Sequence, residues 1–251
     1  MSSLTISLVA FAFIFGGALA GMILRASLPD HHFSADSKDV VKLGMGLVGT
    51  MAALILGLLV ASAKSSFDAQ SSELTQASAN IVVLDRVLAQ YGPETREVRG
   101  ILRGAVARII EDTWSHSKRA PSQFGGASSG SGSFLEKIQA LTAETDFQRA
   151  MKSHAWNMAL NLVQTRWLLY EQGATSVSEP MVVIMVFWLT IVFVSWGLFA
   201  PRNPTVVATL FTAALSVSGA IFLILEMYNP YNGLIQISSA PLQGALALLG
   251  E

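Results

Sequence analysis

The sequence predicts an all-α membrane protein in which four transmembrane helices, arranged as two hairpins, flank a cytosolic helical domain. Three observations carry this expectation. Hydrophobic residues make up 52% of the 251 residues and charged residues only 13%, about half the ~25% usual in soluble domains. Four segments are apolar over the ~20 residues a helix needs to cross a bilayer. Between the second and third lies a long polar stretch whose apolar residues recur at helical spacing.

Composition also excludes several functions. A net charge of -1 provides no basic field for nucleic acid. The absence of cysteine excludes disulfides, thiolate metal sites and a catalytic thiol. The apolar content argues against disorder.

The first hairpin occupies 1–63, with spans at about 4–24 and 40–63. The first span carries no charge and ends at Arg25. Ala18-Leu19-Ala20 resembles a signal-peptide cleavage site, but Met1–Ser3 lacks Lys and Arg and the apolar run exceeds 7–15 residues, so a retained helix is expected. The polar stretch follows at 64–179. Leu74, Ala77, Ile81, Leu84, Leu88 and Tyr91 form a stripe in steps of three and four. No breaker separates this stripe from the second span, so one long helix over Val40–Tyr91 is predicted. Gly92-Pro93-Glu94 then stops it and starts another. That helix, Glu94–Ser117, places Val98, Leu102, Ala105 and Ile109 on one side. Residues 118–133 are rich in Ser, Gly and Pro and read as a flexible loop. A third soluble helix is predicted from Phe134 to Gly173, with Phe147, Met151, Ala155, Met158, Leu162 and Leu169 on its apolar face. The second hairpin, 180–228, has spans at about 181–200 and 205–228, joined by Pro201-Arg202-Asn203-Pro204. A turn at Tyr228–Gly233 leads to a short helix from Pro241, too short to span, that lies at the interface or packs on the bundle.

Four spans put both termini and the polar domain on one side. The domain carries 12 Lys/Arg against 12 Asp/Glu. Lys64 and Arg166, close to membrane ends, place that side in the cytoplasm by the positive-inside rule.

No enzyme motif is present: GxSxG, the P-loop, HExxH and GxGxxG before a strand are all missing. No cofactor is expected. His116 and His154 stand alone on soluble helices. Asp30, His31, His32 and Asp36 form a metal-like group, but adjacent loop residues seldom converge on one ion. A solvated loop is the simpler reading, and no metal site is assigned.

The second span holds the main candidates. Gly46, Gly49, Ala53 and Gly57 form a small-residue face suited to close helix packing in lipid. The opposite side offers Thr50, Leu54, Leu58 and Ser62. Around an axis of several copies these would make a pore lining whose leucine rings gate by dewetting. The alternative is that the leucines face lipid. Glu226 is the one acid within an apolar span. It is either ionic or structural, accepting hydrogen bonds from the Asn229–Gly233 turn. Asp85, Arg86, Arg96, Arg99 and Arg103 are expected to face water. Trp196 and Tyr228 suit interfacial anchoring, and Trp188 lies within a span.

The stretch Leu43–Asp68, then Leu74-Thr75-Gln76-Ala77-Ser78-Ala79-Asn80, Leu84-Asp85-Arg86, and the tail Asn229-Pro230-Tyr231-Asn232-Gly233 with Ser239-Ala240-Pro241-Leu242 resemble the bestrophin-like domain family of bacterial membrane proteins. The resemblance implies kinship with bestrophins, pentameric ion channels whose second membrane helix lines an apolar neck. That neck is rich in phenylalanine, whereas this span has none before Phe67. Leu54 and Leu58 would replace those rings, and ion selectivity does not transfer. The resemblance thus implies a homo-oligomeric channel of the bacterial inner membrane, with ions and the lipid bilayer as partners. Two other readings compete: a non-conducting scaffold or signalling protein that binds a protein partner through its cytosolic helices, and a stator-like energy-transducing subunit.

Overall fold

The computed structural model describes residues 2–25, 35–114, 128–174, 179–231 and 233–250, and among them every regular element is helical. The helices are α1 (Ser3–Leu24), α2 (Ala35–Tyr91), α3 (Arg96–Trp114), α4 (Ser128–Ala140), α5 (Asp146–Ala174), α6 (Glu179–Phe199), α7 (Pro204–Met227) and α8 (Ala240–Leu248), with a 3₁₀ turn at Pro93–Thr95. Four are long and apolar enough to cross a membrane: α1, α2 from Asp39, α6 and α7. The chain forms two compact units, and α2 contributes to both.

In the first unit α1 packs along α6 and α7. Its buried stripe is Ser7, Ala10, Ile14, Gly17, Ala18 and Gly21, in steps of one, three and four residues. The α1–α6 seam depends on missing side chains. A Cβ at Gly21 would overlap the carbonyl oxygen of Val194, and one at Gly197 would overlap that of Ala18. One at Gly17 would lie 2.9 Å from Cγ2 of Thr190. Gly17-Ala18-Leu19-Ala20-Gly21 is therefore a working GxxxG pair, which lets backbones approach in lipid where no hydrophobic force drives helices together. Contacts advance in the same direction on both helices, Gly17 with Thr190 and Gly21 with Leu198, so α1 and α6 run parallel. On α7, Phe211 meets Phe11 and Phe15 edge-on at 5.4 and 5.3 Å. Met22 and Ile23 line a groove with Pro204, so α7 runs antiparallel to α1. Two arginines tie the helix ends. Arg25 donates to the Ala200 carbonyl at 2.5 Å and Arg202 to that of Met22 at 2.7 Å. Both satisfy carbonyls at or just past a helix C-terminus, where a cation is favoured. Gly21→Leu or Gly197→Leu is expected to destabilise the unit by about 1–3 kcal/mol or more, because the obstacle is backbone and cannot rotate away. Gly16→Leu is the control, since a Cβ there meets nothing within 4 Å. Detergent-resistance melting of the three variants checks this.

The second unit has its own apolar core. From α2 come Leu74, Ile81, Leu84 and Leu88; from α3, Val98, Leu102 and Val106. Phe134 and Ile138 of α4 and Ala155 and Ala159 of α5 join them. The α2 contribution is the predicted stripe, because the step-of-three-and-four spacing turns one face inward whatever the partner is. At its end Gly92 adopts φ 143°, a conformation that favours glycine. The buried Thr95 hydroxyl donates to the Leu88 carbonyl at 2.6 Å and closes the corner. The tail is part of this core. Ile237, Leu242, Ala245 and Leu249 are buried in it, and α8 packs on α3. The apolar side of α8 lies in this core. Trp114 Nε1 donates to the Ile237 carbonyl at 2.8 Å, and its ring meets Tyr231 edge-on at 5.8 Å. Burial, helped by the charge of Glu73, pushes the Tyr231 phenol up to about 12.

Three expectations for this unit are corrected. The predicted helix 134–173 is two helices, interrupted at 141–145. Thr145-Asp146-Phe147-Gln148 is a capping box: the Thr145 hydroxyl accepts from the Gln148 amide at 3.1 Å, and Gln148 Oε1 accepts from the Thr145 amide at 3.3 Å. Lys152 Nζ donates to the Leu141 carbonyl at 2.7 Å beyond the end of α4. Phe147 consequently sits in the first turn of α5, exposed, not on the apolar face. Finally, α4 starts at Ser128, so the last residues of the stretch read as loop are helical. Residues 115–127, with His116, lie outside the described residues.

Candidate functional site

The membrane part of α2 differs from α1 in how little of it the chain covers. Ala52, Leu59 and Ala63 are buried, and they lie along one edge. A Cβ at Gly49 would lie 3.9 Å from Cγ1 of Val192 on α6, an ordinary contact. At Gly46 and Gly57 it would meet nothing within 4 Å among the described residues. Within one chain, then, Gly46, Ala53 and Gly57 are exposed and Gly49 borders the contact with α6.

Thr50, Leu54, Leu58 and Ser62 are exposed too, Leu54 by 65% and Leu58 by 63%. Their relation to the small residues needs correction. Ala53 precedes Leu54 and Gly57 precedes Leu58. One residue is about 100° around a helix, so the small edge and the leucine edge adjoin on one exposed arc and are not opposite faces. The buried edge at Ala52, Leu59 and Ala63 is what lies across from Leu54. The leucine edge is also longer than predicted. Leu47 and Met51 lie seven residues before Leu54 and Leu58 and are exposed as well. The missed signal was this heptad step, about 20° from perfect alignment.

The hydroxyls at the two ends of the set are held differently. Thr50 Oγ1 donates to the Gly46 carbonyl at 2.8 Å, so its oxygen lone pairs are turned outward. The Ser62 hydroxyl lies 3.5 Å from the Tyr228 hydroxyl at the end of α7.

Glu226 is buried near the same end of α7. Its Oε2 accepts from the Leu234 amide at 2.5 Å and the Ile235 amide at 3.4 Å. A Cβ at Gly233 would overlap that carboxylate. The acceptors therefore serve the backbone just beyond the Tyr228–Gly233 turn, which ties the end of α7 to the chain that follows it.

Asp85 and Arg99 do not face water as expected. Asp85 is 2% exposed. Arg99 Nε and Nη2 each reach one of its carboxylate oxygens at 2.8 Å, a bidentate pair. The Gly250 amide adds a longer contact of 3.4 Å. Burial works to raise the Asp85 carboxyl, but the hydrogen bonds and charge of Arg99 outweigh it and hold the group below its ordinary value of 3.8. The same hydrogen bond raises Arg99. This pair joins α2, α3 and the end of the tail within the second unit. Arg86, Arg96 and Arg103 are exposed, and His154 is exposed on α5.

The metal-like group Asp30, His31, His32 and Asp36 falls outside the residues whose side chains are described. Among the described residues no three His, Asp or Glu side chains gather as a metal site.

A family model described as a bestrophin-like domain matches residues 12–242. Comparison with curated proteins and with solved structures returns no match.

Proposed function

The chain belongs to the bestrophin-like domain family, a family of channel-like membrane proteins, and from that premise we propose that it is a homo-oligomeric, pentameric ion channel of the bacterial inner membrane whose pore is lined by α2. The observation that carries this reading is the uncovered arc of α2. The partners of α1 are α6 and α7. The small edge of α2 finds no neighbour among the described residues of its own chain at Gly46 or Gly57. Small residues in lipid gain from the close approach of another helix. An α2 from a second copy supplies that helix. The adjoining edge, Thr50, Leu54, Leu58 and Ser62, then turns toward the axis of the ring. Leucine rings there form a constriction that gates by dewetting.

The parallel run of α1 and α6 supports the topology. Two parallel spans with one other span between them are what a domain on the side of the N-terminus requires, with α7 returning the chain to that side. Arg25 and Arg202, at the other end of these helices, serve as caps on carbonyls. Lys64 and Arg166, close to the membrane ends, favour the cytoplasm for the domain side.

Electron microscopy of the protein purified in mild detergent tests the assembly. The expected particle is a five-fold ring whose innermost helices are five copies of α2, with Leu54 and Leu58 at the narrowest point. A monomer, or a ring with α2 turned outward to lipid, overturns the reading and leaves a scaffold that binds partners through its helical domain.

A further inference from the structure

The groove between α1 and α7 lies at the end where Arg25 and Arg202 cap helices, and nothing in the channel reading uses it. It is open to its surroundings and has a volume of about 700 Å³. Its walls are apolar: Phe15 and Ile23 from α1, Val207 and Phe211 from α7. Phe15 and Phe211 pack edge-on at 5.3 Å and both line the groove, so an apolar chain laid in it would meet aromatic rings. One end of the groove is different in kind. Arg202 and Asn203 line it there. Asn203 caps α7, with its side chain accepting from the Val206 amide at 2.8 Å and Pro204 at the first helical position. The positive end of the α7 dipole therefore opens beside a guanidinium.

That guanidinium has donors to spare. Arg202 Nη2 reaches the Met22 carbonyl at 2.7 Å, while the group carries five N–H donors in all. Among the described residues no carboxylate lines the groove and none pairs with Arg202. The result is an apolar slot within the membrane unit that ends in an exposed positive charge with no carboxylate partner among the described residues. A phospholipid has the complementary form: an acyl chain for the slot and a phosphate for the arginine. An ammonium headgroup would find no carboxylate among the described residues here to receive it.

We propose that the α1–α7 groove is a binding site for an anionic glycerophospholipid, with one acyl chain against Phe15 and Phe211 and the phosphate on Arg202 and the N-terminus of α7. The site does not depend on conduction, so it stands or falls separately from the channel reading.

The test is native mass spectrometry of the full chain released from nanodiscs of mixed phosphatidylglycerol and phosphatidylethanolamine. The expected result is retained phosphatidylglycerol in about fivefold excess over its share of the bilayer, the worth of one basic residue at an anionic lipid surface. Arg202→Gln should bring retention down to that share. Ala208→Trp, which fills the slot and leaves Arg202 on Met22, should remove the retained lipid altogether. Equal retention of the two lipids by the unmodified chain overturns the proposal without reference to any variant. Undiminished phosphatidylglycerol on either variant, with the helical signal intact, does so too. If Arg202→Gln fails to fold, the unmodified chain and Ala208→Trp decide the matter between them.

Discussion

Leu54→Ala and Leu58→Ala are expected to raise unitary conductance in planar bilayers by at least roughly threefold, because each change removes the side chain that narrows the pore. The physical argument is one of wetting. Each substitution deletes about three carbons per subunit, or ~2 kcal/mol of apolar transfer free energy at about 0.8 kcal/mol per methylene. A ring of such changes makes the constriction both wider and easier for water to enter. The expected order is wild type below either single variant, and the double variant highest. Leu215→Ala on α7 is the control. Leu215 is 54% exposed, yet it lies on another helix and should leave conductance unchanged. Currents that stay the same in both α2 variants, with the ring intact by microscopy, remove the constriction from these positions.

Arg99→Ala is expected to lower the apparent melting temperature in detergent by about 10 °C at pH 7. Asp85 then remains as a buried carboxylate without its cation, and removing one partner of such a pair costs about 3–5 kcal/mol. In a chain of this length each kcal/mol is worth roughly 2–4 °C. The sign of the pH dependence follows from the direction of the shift. In the wild type the Asp85 carboxyl is held below its ordinary 3.8. Its contribution is fully present above that value and is lost as pH falls below it toward the folded-state value. In Arg99→Ala the carboxylate is buried without compensation, so protonating it relieves the cost. The gap between wild type and variant should therefore narrow as pH falls from 7 to about 3. Asp85→Asn should flatten the wild-type loss in the same window. A gap that widens toward low pH would show that the two side chains do not act as a pair.

The membrane helices were legible because hydropathy and length are local properties: Leu4–Leu24 became Ser3–Leu24 with no partner needing to be known. The long helix through Tyr91 was legible for a similar reason, since it contains no breaker and its stripe keeps step. The break at 141–145 was also written in the sequence, as Thr145-x-x-Gln148. It was hidden by apolar spacing that continues on either side, and periodicity does not register a cap. Phe147 followed that error outward.

Other features needed the folded chain. Gly17 and Gly21 carry the same small-residue signal as Gly46 to Gly57, yet among the described residues the first pair meets a backbone and the others do not. Spacing alone says that a helix can be approached, and not which helix approaches it. Asp85 and Arg99 are 14 residues apart on different helices, and charged residues on amphipathic helices ordinarily face water. Their pairing arose from the turn at Gly92, which folds α3 back on α2 and closes the tail over both. The same holds for Arg202, whose loop position looked like a simple turn until Met22 and the α1–α7 groove came together beside it. Local chemistry set which segments are helices and which of their faces are apolar, because those depend on neighbours within one or two turns. The choice of partner for each face was made only by the tertiary structure, because it depends on shape and charge brought together from residues as far apart as 25 and 200.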